Sequence, residues 1–163
     1  MRKTNAARIL DRLKIGYELI EYEVDESDLS AVHLALTAGI PIDQVFKTLV
    51  LEGDKNGHFV CIIPGGDEID LKKAALASLN KKVAMIKMKD LEPLTGYIRG
   101  GCCPLGMKKN FPVYIDETAF NHRLIYISAG IRGLQIRLTP ADLLHACNGK
   151  KSFISQEREI DQL

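Results

Sequence analysis

Val45 to Leu51 and His58 to Ile63 are two runs rich in apolar and β-branched residues, separated by Asp54-Lys55-Asn56-Gly57. Asparagine and glycine accept the backbone conformations that a tight reversal needs, so the pair reads as a hairpin. Side chains alternate along a strand, placing Val45, Lys47, Leu49 and Leu51 on one face and Phe46, Thr48 and Val50 on the other. Both faces are largely apolar, the pattern of a strand covered on two sides. Any fold for this chain must therefore have material above and below this strand, and must also accommodate the amine of Lys47.

The flanking segments supply that material. Thr4 caps a helix that carries Ala7, Leu10 and Leu13 on one side and stops near Gly16. Tyr17 to Tyr22 reads as a strand, and Asp28 or Ser30 caps a second helix through Leu36, ended by Gly39 and Pro41. Asp70 caps a third helix through Leu79, with Leu71, Ala74, Ala75 and Leu79 at helical spacing. Short strands are expected at Val83–Ile86, Thr95–Arg99, Val113–Ile115, Leu124–Ser128 and Leu134–Leu138. Thr139 caps a last helix with Pro140 at its first position, running to about Cys147. The polar tail from Lys150 is expected to fray in part. Strands outnumber helices in an irregular order, which points to a mixed α+β fold around a central antiparallel or mixed sheet rather than a doubly wound parallel one. No repeat, low-complexity run or Pro/Ser-rich linker divides the 163 residues, so a single domain over 1–163 is expected.

Composition narrows the function classes. Apolar residues make up 46% and charged residues 26%, both ordinary for a globular domain. No apolar stretch approaches the roughly 18 residues of a bilayer span, and the basic start has no apolar signal core, so a cytoplasmic chain without membrane contact is expected. The cysteines Cys61, Cys102, Cys103 and Cys147 and the histidines His33, His58, His122 and His145 show neither Cys-x-x-Cys nor His-x-x-x-His spacing. No metal and no cofactor are expected, and the thiols read as reduced and structural. Charge is segregated beneath a net +1: residues 1–70 carry seven Lys/Arg against thirteen Asp/Glu, residues 71–110 nine against two, and residues 111–163 six of each. A block of +7 in a near-neutral chain is either a set of solvated lysines or a footprint for a polyanion such as a phosphodiester backbone.

Three places stand out chemically. A lysine in a strand with two apolar faces must leave water, which is costly unless the amine meets an anion, a carbonyl or a cleft, or snorkels to solvent at a strand end. The three apolar residues that follow Thr48 favour the cleft for Lys47. Gly100-Gly101 lies in Tyr97-Ile98-Arg99-Gly100-Gly101-Cys102-Cys103-Pro104-Leu105-Gly106, followed by Lys108-Lys109. Paired glycines either form a tight turn or let a ligand approach main-chain amides. Ser128-Ala129-Gly130-Ile131-Arg132-Gly133 reads as a hairpin tip, with a hydroxyl and exposed amides beside a sheet. No serine–histidine–aspartate order is persuasive, and no histidine is placed by sequence to activate Cys102 or Cys103.

Phe46-Lys47-Thr48-Leu49, Thr95-Gly96-Tyr97, Gly100-Gly101, Pro104-Leu105-Gly106-x-Lys108-Lys109 and Ser128-x-Gly130-x-Arg132-Gly133-Leu134 together resemble the signature of the YbaK/EbsC family. These are Cys-tRNA(Pro) deacylases, akin to the editing domain inserted in some prolyl-tRNA synthetases. The resemblance runs in order from about Thr4 to Asp142. It implies a mixed α/β fold with a twisted, partly barrel-like sheet and a pocket for the aminoacylated 3′ end of tRNA. It implies that Lys47 is the essential lysine, holding the terminal nucleotide or its ester. Tyr22, Thr48, Gly100, Gly101 and Ser128 would line the pocket, and the motif residues Pro104, Gly106, Gly130 and Arg132 would belong to the substrate-binding set. In cysteine-clearing members the substrate's own thiol attacks its ester carbonyl, so no enzyme nucleophile is required.

The chain departs from the family pattern at Cys102-Cys103 (an Ile-Ser type pair), Ala129 (a glycine), Gln135 (where an aspartate occurs) and Leu29 or Ser30 (a phenylalanine). The resemblance implies a trans-acting deacylase for Cys-tRNA(Pro), with tRNA as partner and prolyl-tRNA synthetase as a further candidate. Two alternatives are a deacylase for alanine or another small amino acid, and a non-catalytic module that binds tRNA ends or a synthetase.

Overall fold

The structure, a computed structural model, describes residues 3–157. In chain order these form α1 (Asn5–Arg12), β1 (Glu18–Glu21), α2 (Ala31–Ala38), β2 (Phe46–Gly53), β3 (Gly57–Pro64), β4 (Glu68–Ile69), α3 (Leu71–Ala77), β5 (Val83–Met85), α4 (Met88–Thr95), β6 (Val113–Asp116), β7 (Ile125–Ser128), β8 (Leu134–Leu138), α5 (Pro140–Ala146), β9 (Lys150–Ser152) and β10 (Ser155–Gln156). Short 3-10 turns at Ile42–Gln44 and Glu117–Asn121 lead toward β2 and β7.

The expected hairpin is the centre of the molecule. β2 and β3 pair antiparallel from Phe46↔Pro64 to Gly53↔Gly57 within a five-stranded mixed sheet ordered β5-β2-β3-β6-β9. β3 and β6 run parallel, as do β6 and β9. A separate antiparallel sheet, β1-β8-β7, meets the first at one corner through a parallel bridge between Val45 and Tyr126. β10 and β4 form a small third pair. The class is mixed α+β, and the two larger sheets adjoin at that corner without closing into a barrel among the described residues.

Alternation along β3 sets the layering. Val60 and Ile62 face one way, toward Ile115, Ile125, Ile127, Ile136 and Leu138, with Leu10 of α1 and Leu143 of α5 closing that core. Phe59, Cys61 and Ile63 face the other way, onto Ala74 of α3 and Ile154 near the end of the described chain. Each fully buried aliphatic side chain contributes about 1.5–3 kcal/mol, so both faces of the hairpin are held. The reversal is secured from outside: Asn80 Oδ1 accepts from the main-chain N–H groups of Lys55 (2.9 Å) and Asn56 (2.7 Å). A side chain at Gly53 would overlap Asn80, with its Cβ 2.1 Å from Asn80 Cγ, so only glycine fits there.

Local signals explain most helix ends. Thr4, Ser30, Asp70 and Thr139 each cap a helix through a side-chain oxygen. Ser30 rather than Asp28 caps α2, while Asp28 accepts from the Ser30 N–H. The structure corrects the sequence reading at four places. α1 ends at Arg12, and Lys14, with φ +59, turns the chain before Gly16, which leaves Leu13 43% exposed. α3 turns only its alanines inward, so Leu71 and Leu79 lie at the surface. The expected strand Thr95–Arg99 does not form, because α4 occupies Met88–Thr95 and Gly96 closes it at φ +87. The tail from Lys150 is ordered as β9 and β10, with Ile154 fully buried and the Asp116 carboxylate accepting from the Ile154 and Ser155 N–H groups at 3.0 Å. The remainder of that tail, 158–163, lies outside the described residues. None of the described helices is long and apolar enough to cross a membrane.

Candidate active site

β2 is covered unevenly along one edge. β5 pairs only with Leu51–Gly53, Ile86 donates to the Val50 carbonyl, and Val45 bridges to Tyr126. The intervening stretch of β2 fronts a cavity of about 420 Å³. A strand presented edge-on offers side chains from both of its faces, which is why the neighbours Lys47 and Thr48 both line this hollow. Leu29 to Val32 and Leu34 bring one wall from the start of α2, and Met85, Ile86, Met88 and Leu91 bring another from β5 and α4. Arg99, Gly100 and Cys102 enter from the loop after α4, and Ser128 and Gln135 from β7 and β8.

Backbone geometry puts the glycine loop where it is. Gly100 has φ +84, which disfavours other residues. Gly101 donates to the Ile98 carbonyl (2.9 Å), and a Cβ on it would sit 3.3 Å from main-chain atoms of Ile131 and Arg132. Arg132 Nε donates to the Arg99 carbonyl at 2.8 Å, so the hairpin tip beyond β7 braces the loop from behind. Tyr97 joins the same unit: its hydroxyl donates to the Leu105 carbonyl, and its ring lies against Gly130.

Of the residues singled out by sequence, Lys47, Thr48, Gly100 and Ser128 come together around this cavity. Gly101, Gly130 and Arg132 pack behind it as the brace just described. Tyr22 does not line it; its N–H donates to the Gly133 carbonyl alongside the β1–β8 pair. Pro104 and Gly106 line a different hollow with Lys109, Phe111 and Cys147. Leu29 and Gln135, two of the positions at which the chain departs from the family pattern, line it as well, as does Arg99 from the glycine-loop motif. Met85 and Met88 are lining residues that sequence reasoning did not place.

The polar groups differ in what they offer. Lys47 is half-buried and adds a positive charge to the wall. Asp67, on the turn after β3, has its carboxyl raised by burial and by the neighbouring Glu157 and Asp116, with Lys47 pulling it the other way. The Gly130 N–H donates to Ser128 Oγ at 3.1 Å, which leaves the hydroxyl proton available to the cavity. Burial pushes the Cys102 thiol up to about 12, so it stays protonated and poorly nucleophilic near neutrality. The site thus combines a cation, a hydroxyl donor and a glycine main chain with apolar walls. That suits holding a polar, partly anionic group against apolar walls. All nine cations of the 71–110 block are exposed, and Lys87 and Lys89 flank Met88 at the rim. Among the described residues no cluster of three or more His, Cys, Asp or Glu could hold a metal ion.

Comparison with known proteins places this cavity in a family. The model of the aminoacyl-tRNA editing domain matches residues 26–146, which contain every residue that lines it. The chain belongs to the aminoacyl-tRNA editing domain family. This editing domain is 50% identical over 154 residues to the Enterococcus faecalis protein named "Putative Cys-tRNA(Pro)/Cys-tRNA(Cys) deacylase EbsC", with 94% of each chain covered. It is 26% identical over 121 residues to YwhH of Bacillus subtilis, an uncharacterised protein, covering 74% of this chain and 76% of that one. A solved structure described as a "putative trans-editing enzyme for prolyl tRNA synthetase" superimposes with a TM-score of 0.81 at 24% identity, over 95% of this chain and 99% of that one. At that identity the likeness speaks for the fold of the editing domain. The resemblance to YbaK/EbsC proteins read from the motifs therefore holds.

Proposed function

We propose that this editing domain acts in trans as a deacylase that removes cysteine from mischarged tRNA(Pro). The observation that carries the reading is the single cavity that gathers Lys47, Thr48, Gly100 and Ser128 while its own thiol, Cys102, is held neutral. Lys47 holds the terminal phosphate or the ester. The Gly100 main chain and the Ser128 hydroxyl stand near the carbonyl oxygen as negative charge develops on it. The substrate thiol supplies the nucleophile: its sulfur bonds to the ester carbon, the bond to the ribose oxygen breaks, and the thiol proton ends on that oxygen. Free tRNA and a cyclic thioester leave, and water then opens the thioester to cysteine. Holding sulfur and carbon at contact distance is where such a site gains most of its rate. Gly101, Gly130 and Arg132 serve by bracing the loop. Tyr22, Pro104 and Gly106 belong to the binding set at one remove, outside the cavity itself.

Cysteine and proline are close in size, so a synthetase pocket discriminates poorly between them and a second site is the usual remedy. The exposed basic block meets the acceptor-stem backbone, largely without reading sequence. Residues 1–163 work as one domain in the cytoplasm, with prolyl-tRNA synthetase as the protein partner. The test is a deacylation panel of Cys-tRNA(Pro), Ala-tRNA(Pro) and Pro-tRNA(Pro) with product identification. Selective release of cysteine with a transient cyclic thioester is expected. Equal release of alanine, or salt-sensitive binding without ester cleavage, would replace this reading with one of its two alternatives.

A further inference from the structure

Two polar side chains in the cavity wall carry buried atoms with nothing to bond to. Gln135 is 3% exposed and its Oε1 has no hydrogen-bond partner, and Thr48 Oγ1 is in the same condition. Both residues line the cavity. Buried polar groups are nearly always satisfied, so an orphan acceptor and an orphan hydroxyl in one cavity mark a place where a ligand completes the bonding. Gln135 is a further anomaly by position: it lies on β8, the central strand of its sheet, between the buried Leu134 and Ile136. Register places it opposite Ser128 on β7, which points both side chains to one face.

The charge of the pair identifies the ligand group. Neither side chain is ionisable, so neither competes with Lys47 or Arg99 for phosphate. A neutral acceptor in a buried wall fits an N–H or O–H donor. The rim is formed by Val32, Met85, Met88 and Arg99, whose exposed side chains leave the nucleotide end of an aminoacyl ester at the mouth. The amino acid therefore reaches the wall, and its strongest donor is the α-amino group. We infer that Gln135 and Thr48 seat the α-amino group of the esterified amino acid and so fix which way its side chain turns toward the carbonyl. This inference rests on the deacylase reading above. It makes Gln135 a specificity determinant for esters with a free amine, where a carboxylate would add a charge beside Lys47.

The test compares Cys-tRNA(Pro) with the same tRNA esterified by 3-mercaptopropionate, which keeps the thiol and lacks the amine. For wild type, kcat/KM is expected to favour the cysteinyl ester. Gln135→Met, of similar length and without the acceptor, should lose roughly 10–100-fold on the cysteinyl ester and change little on the mercaptopropionyl ester. Thr48→Val should show the same pattern more weakly. Gln135→Met should also melt at or above the wild-type temperature, since it removes an unsatisfied buried polar group. An equal loss on both esters, or a variant melting well below wild type, overturns the inference by showing a structural role. A loss that tracks a 2′-deoxy terminal ribose instead overturns it in favour of the sugar hydroxyl. If wild type cleaves neither ester, the deacylase reading itself has failed, and that result is distinct from the others.

Discussion

Replacing Gly100 with alanine tests whether the loop geometry is what shapes the cavity. Its φ of +84 lies in the left-handed region, where an L side chain costs about 1–2 kcal/mol. Alanine also stiffens the unfolded chain, which offsets roughly 0.4–1 kcal/mol of that cost. The new Cβ would meet Arg132 Cγ and Nε at 3.4 Å and Leu29 Cδ2 at 3.5 Å, ordinary contacts that add no clash. The net loss is therefore about 1 kcal/mol, which for a chain of this size lowers Tm by roughly 2–4 °C. Gly57, with φ +71 and open space around the position of a Cβ, serves as the control. Gly57→Ala should lose similar stability by thermal unfolding and keep its deacylation rate at 25 °C. Gly100→Ala should lose both stability and about 10-fold or more in rate, because its strain is relieved by moving the loop that lines the cavity. A Gly100→Ala protein with wild-type Tm and rate would refute the reasoning.

Cys102→Ala is expected to keep most deacylase activity, because the thiol is protonated at neutral pH; complete loss in a rate assay would make Cys102 the nucleophile after all. Replacing Lys87, Lys89 and Arg99 together with glutamine should weaken tRNA binding and lower the slope of log K against log salt by about 2–3, whereas an unchanged slope would leave these as solvated surface charges. Asp67→Asn should raise Tm at pH 7. The fold raises the Asp67 carboxyl above its unfolded value, chiefly through burial and then through Glu157 and Asp116, so the ionised form is penalised in the native state. That penalty is present above the folded pKa and disappears as pH falls below the unfolded one, so the two proteins should converge in Tm near pH 3.

Sequence was most informative where a single residue type decides the local structure. Thr4, Asp70 and Thr139 cap the helices expected of them, and the Asp54–Gly57 reversal joins the expected strands. Lys47 was legible as an anomaly because alternation on β2 left it no polar face. α4 was illegible for the same reason in reverse: Lys87 makes no side-chain cap and Pro93 lies inside the helix, so only Gly96 at its far end announces it. Its loss hid the wall formed by Met88 and Leu91, and turned Thr95–Arg99 into an expected strand. Leu71 and Leu79 share helical spacing with Ala74 and Ala75, but spacing cannot say which of them finds a partner; the sheet offers room only for Ala74 and Ala75. The tail read as polar, yet Asp116 and the socket for Ile154 come from elements far away in the chain. Pro104 and Gly106 lie close in sequence to Gly100, but the loop carries them to another hollow.

The central claim is that the Lys47 amine holds the end of a mischarged tRNA. Single-turnover release of cysteine from Cys-tRNA(Pro) by Lys47→Ala, alongside its melting curve, tests this most directly. A charge at contact distance in a partly buried site is worth about 4 kcal/mol, so the rate should fall on the order of 1,000-fold while Tm stays within a few degrees of wild type. Cysteine release at the wild-type rate from a folded Lys47→Ala protein would contradict the account.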